Sequence, residues 1–145
     1  MSERDHRRLV ESLRGCLGAR PEILEAYLFG SEARGGSRPH SDIDVAVYLD
    51  RDHLANSSFG YAAELTADLV ALLHSNDVDV VVLNKASPLL YHRVLRDGLR
   101  LFTRDAMATT TREGRALSRY CDYVPHLRKI DAAHAARIED GSFGQ

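Results

Sequence analysis

Asp42 and Asp44 are the residues whose types and spacing first suggest chemistry, because both stand at the entrance of the apolar segment IDVAVYL. Residues two apart on a β-strand project from the same face, so the two carboxylates should lie side by side, with Ile43 turned into the core. Two like charges held close together are unfavourable unless a cation lies between them. Ligands that are all oxygen favour magnesium or manganese over zinc. The pair therefore predicts a divalent-metal site.

A third carboxylate is available on the next predicted strand, NDVDVVVLN, in Asp77 or Asp79. These two residues also share a face, so the alternation of side chains along a strand does not choose between them. Asp79 lies further inside the strand and Asp77 lies nearer the turn, and for that reason we favour Asp79.

Gly30 and Ser31 close the preceding apolar segment, ILEAYLF. A strand that ends in a glycine turn can offer backbone N–H groups and a hydroxyl to a phosphate. Magnesium commonly binds protein carboxylates together with substrate phosphates. A phosphate corner beside a carboxylate pair thus indicates a nucleotide–metal site, and one or two metal ions there would neutralise charge during displacement at phosphorus.

The composition is that of an ordinary globular protein: the chain has 145 residues, of which 44% are hydrophobic and 28% are charged, and its net charge is -2. Its length favours one domain. The near-neutral charge argues against general binding to duplex nucleic acid, which needs a surplus of Lys and Arg. Without an apolar run of about 20 residues or a signal peptide, the chain is expected to stay off the membrane and in the cytoplasm.

Hydrophobic spacing predicts the order helix, strand, loop, strand, helix, strand, helix, strand and helical tail. The first helix is expected over about residues 4–18, and Ser87-Pro88 should begin a helix that stops at Gly98. Alternating elements of this length indicate an α/β fold with a small sheet. We expect a core over residues 1–104 and a helical extension over 105–145 that belongs to the same domain.

The tail carries an apolar stripe at helical spacing, formed by Leu117, Tyr120, Val124 and Leu127. Such a stripe either packs on the protein's own sheet or serves as an interaction helix, and packing is the more common case. Pro125 should kink or divide this helix, because proline lacks a backbone N–H and its ring disturbs the preceding turn.

The string FGSEARGGSRPHSDIDVAV resembles the minimal nucleotidyltransferase (MNT) branch of the DNA polymerase β-like nucleotidyltransferase superfamily, whose signature is Gly-Ser, ten residues, then Asp-x-Asp. The segment VDVVVLNKASPLLYHRVLRDGLRLF is similar to the part of that branch that carries its third aspartate. This resemblance extends over about residues 28–102. It implies a small mixed-sheet nucleotidyltransferase fold with flanking helices and a C-terminal helical tail.

The resemblance also assigns roles to individual residues. Three carboxylates would bind the metal and serve in catalysis: Asp42, Asp44 and Asp79. Gly30 and Ser31 would bind the nucleotide. For Arg34, a contact with the triphosphate and a plain exposed loop position both remain open. The implied cofactor is Mg²⁺, in a site that can hold two metals or take Mn²⁺ instead, and the implied substrate is ATP.

MNT proteins are the antitoxin half of HEPN–MNT toxin–antitoxin pairs, and the resemblance implies that function here. The chain would transfer AMP from ATP to a tyrosine of a HEPN-domain ribonuclease toxin and so neutralise it. Its tail of about forty residues is short for holding a drug, which favours a protein acceptor. Two alternatives stay open: a non-catalytic antitoxin that acts by binding, and an enzyme that modifies an aminoglycoside-like small molecule.

Overall fold

The computed structural model describes residues 3–30, 43–54 and 58–139, and there the elements follow the predicted order. The helices are α1 (Glu3–Gly18), α2 (Arg51–Leu54), α3 (Ser58–Leu73), α4 (Pro88–Asp97) and α5 (Ala106–Glu139). The strands are β1 (Ile23–Phe29), β2 (Ile43–Leu49), β3 (Val78–Val82) and β4 (Leu99–Thr103), and a 3₁₀ turn, Leu83–Lys85, follows β3. Only the four-residue α2 was not expected from the sequence, since it is too short to show a hydrophobic period.

Within the described ranges the strands form one mixed sheet in the order β3-β2-β1-β4. β1 is antiparallel to both of its neighbours, β2 and β4, whereas β2 and β3 are parallel. This arrangement confirms the predicted mixed α/β fold. It also brings the C-terminal end of β1 and the N-terminal ends of β2 and β3 to one edge of the sheet, where the predicted chemistry lies.

Helices cover both faces of the sheet, because β1 and β2 are apolar on both sides. The first face packs against α1 and α3, which bury Leu13, Leu17, Leu65 and Leu69. The second face carries Tyr27 and Ala46 and packs against α4 and α5. As predicted, α4 begins after Ser87, whose hydroxyl accepts a hydrogen bond from the Leu90 N–H at 3.2 Å, and ends before Gly98.

A buried ion pair attaches α5 to the second face. Glu25 of β1 is fully buried, and Arg112 of α5 donates to its carboxylate, with Nη2 2.5 Å from Oε1 and Nε 3.0 Å from Oε2. The buried Thr109 hydroxyl donates to the same carboxylate at 3.0 Å. The bond to Glu25 raises the pKa of Arg112 above its usual value, so the guanidinium stays charged. These contacts fix where α5 crosses the sheet.

A second set of contacts is made by Glu113, the next residue of α5. The Tyr27 hydroxyl donates to Glu113 at 2.8 Å, and Arg100 of β4 donates to the other oxygen of that carboxylate at 2.6 Å. Burial, and then the neighbouring Glu113, raise the pKa of Tyr27 well above its usual value, which keeps this hydroxyl protonated and donating. Two strands, β1 and β4, and helix α5 are therefore tied together by polar groups inside an otherwise apolar layer.

Two expectations for the tail were wrong. Leu117 does not pack into the core, since it is 44% exposed, and Tyr120, Val124 and Leu127 are only half-buried. The helix also runs from Ala106 to Glu139 without a break, so Pro125 does not divide it. The buried side of α5 is instead formed by Thr109 and Ala116. In the part of the chain that the structure describes, none of the helices is long and apolar enough to cross a lipid bilayer.

The ion pair between Glu25 and Arg112 makes a testable prediction about stability. Replacing Arg112 by Met leaves the Glu25 carboxylate buried without its cation, and breaking a buried pair in this way costs roughly 3–5 kcal/mol. Urea denaturation should show that loss in the free energy of unfolding. The double variant Glu25→Gln/Arg112→Met should recover most of it, because no charge remains to be buried. A loss below about 1 kcal/mol in the single variant, as for an exposed pair, would contradict this account.

Candidate active site

The candidate active site begins with two carboxylates on adjacent parallel strands. Asp44 of β2 is the register partner of Asp79 of β3, and on its other side Asp44 is opposite Phe29 of β1. Register partners project from the same side of a sheet, so both carboxylates lie on the second face. Ile43 is buried among the side chains of the first face, as the alternation predicted. The structure thus brings Asp44 and Asp79 together.

The register also separates the two candidates for the third carboxylate. Asp79 is level with Asp44, whereas Asp77 precedes β3 and its backbone carbonyl accepts a hydrogen bond from the Ile43 N–H at 2.7 Å. Asp79 is solvent-exposed, which leaves its oxygens accessible to a ligand. The strand pairing therefore favours Asp79 as the carboxylate beside Asp44, and its role as a ligand remains a prediction.

Gly30 directly follows β1 and has a backbone conformation that favours glycine. Its φ is +77°, in the left-handed region that favours glycine. A Cβ at this position would collide with the Oδ2 atom of Asp44. The backbone of the predicted phosphate corner therefore lies directly against a carboxylate, and a side chain at this position would have to push the Asp44 carboxylate aside.

Three further residues predicted for the site lie outside the described residues: Ser31, Arg34 and Asp42. In the described ranges, His, Cys, Asp and Glu side chains form no group of three or more suited to a metal ion. Two carboxylates of the expected set, Asp44 and Asp79, are described and Asp42 is not. The two that are described supply only oxygen donors at an accessible edge, which fits Mg²⁺ or Mn²⁺.

Asn84 continues the pairing of β2 and β3 beyond the last residue pair of their backbone register. Its side-chain amide donates to the Leu49 carbonyl at 2.9 Å, and its side-chain oxygen accepts from the Leu49 N–H at 2.8 Å. The side chain thus makes the two bonds that the next residue of a strand would make. A register slip of one residue would turn Asp79 to the opposite face of the sheet. These two hydrogen bonds therefore help to keep both carboxylates on the same face.

A cleft of about 540 Å³ opens beside the site on the same face. It lies where β4 begins and where α4 meets α5. Its lining combines charged, aromatic and apolar side chains: Tyr27, His92, Leu95, Arg96, Gly98, Arg100, Glu113 and Leu117. Sequence reasoning missed this cleft, although the single Glu25 within the apolar run ILEAYLF could have signalled a buried polar layer on this face.

A comparison with protein families matches residues 11–107 to the polymerase beta nucleotidyltransferase family. Two curated relatives are both named protein adenylyltransferase MntA. The protein from Shewanella oneidensis is 35% identical over 102 residues, which cover 70% of this chain and 68% of that protein. The protein from Aphanizomenon flos-aquae is 33% identical over 87 residues, which cover 57% of this chain and 58% of its own length.

Two solved structures extend the similarity over the whole fold. One is a toxin–antitoxin crystal structure with AMP-PNP, with 26% identity, a TM-score of 0.53 and coverage of 94% of this chain and 98% of that chain. The other is a tri-AMPylated Shewanella oneidensis HEPN toxin in complex with MNT antitoxin. It has 25% identity, a TM-score of 0.54 and coverage of 98% of this chain and 99% of that chain. The resemblance found in the sequence is thereby confirmed.

The contact between Gly30 and Asp44 leads to a second prediction. Gly30→Ala combines an unfavourable φ with a collision at the carboxylate, so it should displace Asp44 and destabilise the fold by about 1–3 kcal/mol. The rate of nucleotide transfer should fall by much more than the loss of stability alone would explain. Gly114→Ala is the matched control, since its Cβ would meet nothing within 4 Å, and in a helix this change should stabilise by up to about 1 kcal/mol. Full activity in Gly30→Ala would contradict the proposed packing.

Proposed function

Because the chain belongs to the polymerase beta nucleotidyltransferase family, we propose that it is a protein adenylyltransferase that acts as an antitoxin. It transfers AMP from ATP to a tyrosine of a HEPN-domain toxin and so neutralises that toxin. The observation that carries the proposal is the pairing of Asp44 with Asp79 beside Gly30, in a chain similar to protein adenylyltransferases and to antitoxins in complex with their toxins.

In this reaction the side chains orient ATP and the acceptor. Asp42, Asp44 and Asp79 would hold Mg²⁺, which would neutralise charge on the triphosphate and lower its repulsion toward an incoming oxygen. The backbone at Gly30 and the hydroxyl of Ser31 position the phosphates. Arg34 follows three residues later in the sequence, and its planar guanidinium is suited to bidentate contact with a phosphate.

The chemical step is an in-line displacement at the α-phosphorus. The tyrosine Oη forms a bond to that phosphorus while the bond to the β-phosphate oxygen breaks, so pyrophosphate leaves. The proton of the tyrosine hydroxyl passes to a carboxylate, for which we propose Asp79 as general base. The acceptor must therefore approach the second face of the sheet. Both ATP and an RNA-cleaving toxin are met in the cytoplasm, where we place the reaction.

Substitution of Asp44 gives the direct test of this function. Asp44→Asn should abolish transfer and leave the fold intact or slightly stabilised, since repulsion between the carboxylates is relieved. The measurement is the intact mass of the product of the neighbouring gene after incubation with this protein, ATP and magnesium. Wild type should add one or more AMP units, and chelation of the metal should prevent the addition. Full activity in Asp44→Asn would refute the mechanism, as would full activity in Asp42→Asn.

A second pair of variants distinguishes the two candidates for the third carboxylate. Asp79→Asn should lower the transfer rate by at least about 100-fold, the range expected when a general acid–base group is lost. Asp77→Asn is the matched control, because it removes the same charge from the same strand end and should leave the rate within a few-fold of wild type. The opposite ranking would assign the role to Asp77.

A further inference from the structure

Helix α5 is much longer than the sheet on which it packs. Its 34 residues extend about 51 Å at 1.5 Å per residue. The strands contain five to seven residues each, which span roughly 17–23 Å. A helix of this length must therefore continue beyond the layer that anchors it through Arg112 and Glu113.

Burial along the apolar side of α5 decreases in the C-terminal direction. Ala116 is fully buried, Tyr120 stacks on His92 of α4 with ring centroids 3.6 Å apart, and Ile130 is 50% exposed. The half-buried residues between them continue the same side of the helix: Tyr123, Val124 and Leu127. The face that α5 uses to pack on its own domain thus continues as an accessible apolar stripe, which we define as Leu117, Tyr120, Tyr123, Val124, Leu127 and Ile130.

The stripe leads toward the active site. Its first residue, Leu117, lines the cleft together with Tyr27 of β1. Tyr27 pairs with Ala46, two residues from Asp44 on the same face. Two steps along a strand and one strand across place the backbone at Tyr27 about 8 Å from Asp44. A protein lying along the stripe would therefore rest next to the carboxylates.

Charge favours an acidic partner at this surface. Residues 88–145 carry ten Lys and Arg side chains and seven Asp and Glu side chains, a net charge of +3, whereas residues 1–87 carry nine and fourteen, a net charge of -5. At 100° per residue, Arg119 and Arg128 of α5 border the stripe and are exposed, as is Asp131. Arg96 and Arg100 line the adjoining cleft. Such a distribution attracts a partner surface of opposite sign and sets its orientation.

We propose that the stripe and the adjoining cleft form the docking surface for the acceptor protein, through an apolar face of that protein bordered by acidic side chains. The inference rests on the proposed function, because transfer to a protein requires a surface that binds the acceptor outside the nucleotide site. Docking along α5 presents the acceptor tyrosine to the face that carries Asp44 and Asp79.

A second copy of this chain is the less suitable occupant. The stripe covers about 20 Å of helix, and a helix is about 10 Å wide, so two copies paired through it alone would each bury only a few hundred Å². A stable interface needs about 800 Å² per partner. An acceptor that contacts the stripe, the cleft and the active-site edge together can reach that area.

The test uses the full chain with Leu127→Glu/Ile130→Glu. These changes place charge in the apolar stripe, opposite the acidic border of the partner. Isothermal titration with the product of the neighbouring gene should show a dissociation constant at least about tenfold higher than that of wild type. The KM for that acceptor should rise, kcat at saturating acceptor should be retained, and the affinity for ATP should not change.

The matched control is Ser118→Glu/Ala132→Glu, which adds the same charge at two exposed positions on the opposite side of the helix and should bind within about threefold of wild type. Circular dichroism verifies the fold of each variant. If the double variant loses helix, Ile130→Glu alone, at a half-exposed position, takes its place. Equal binding by the stripe variant and wild type would overturn the proposal. Light scattering that shows a wild-type dimer and a monomeric stripe variant would assign the stripe to a second copy instead.

Failure of the docking surface and failure of the proposed function give different results. If wild type transfers AMP and the stripe variant binds the acceptor as tightly as wild type, the docking proposal is wrong and the function stands. If wild type binds the acceptor through the stripe but no AMP is added in the presence of ATP and magnesium, the docking surface stands and the protein neutralises its partner by binding.

Discussion

The buried carboxylate of Glu25 is the constraint from which much of this structure follows. A charge in the centre of a sheet must have a partner, and Arg112 is that partner, with Thr109 donating to the same group. Because both come from α5, the helix is held over β1 at one position and orientation. That placement creates the cleft next to α4, and it directs the remaining length of the helix away from the sheet. A core packing requirement thus determines which surface is left for a partner.

The second constraint is the parallel pairing of β2 and β3. Carboxylates on separate strands can share a metal only if the register aligns them, and here Asp44 and Asp79 are level. Asn84 contributes to that register from the far end of the pair by bonding both backbone groups of Leu49. A residue far from the active site, Asn84, therefore helps to decide whether the Asp44 and Asp79 carboxylates lie side by side.

Most of the fold could be predicted because its signals are local. Short apolar runs identified the strands, and Ser87 and Gly98 marked the ends of α4. The pairing of Asp44 with a carboxylate of β3 required only the alternation of side chains and the order of the strands. The Glu25–Arg112 pair could not be predicted: Glu25 stands out in its apolar run, but its partner is 87 residues away and has no local signal. The spacing of the apolar stripe on α5 also does not show how far the neighbouring elements extend. Packing on the sheet was therefore favoured for the stripe, whereas Leu117 is 44% exposed.

The close approach of Gly30 to Asp44 has a consequence for the energetics of the reaction. A carboxylate that is free to rotate must give up that freedom when it takes a ligand, and the lost entropy weakens binding. Here the backbone at Gly30 already restricts the space open to the Asp44 side chain. Part of this reorganisation is therefore completed during folding. Such a site is preorganised, and less of the free energy of nucleotide binding is needed to arrange it.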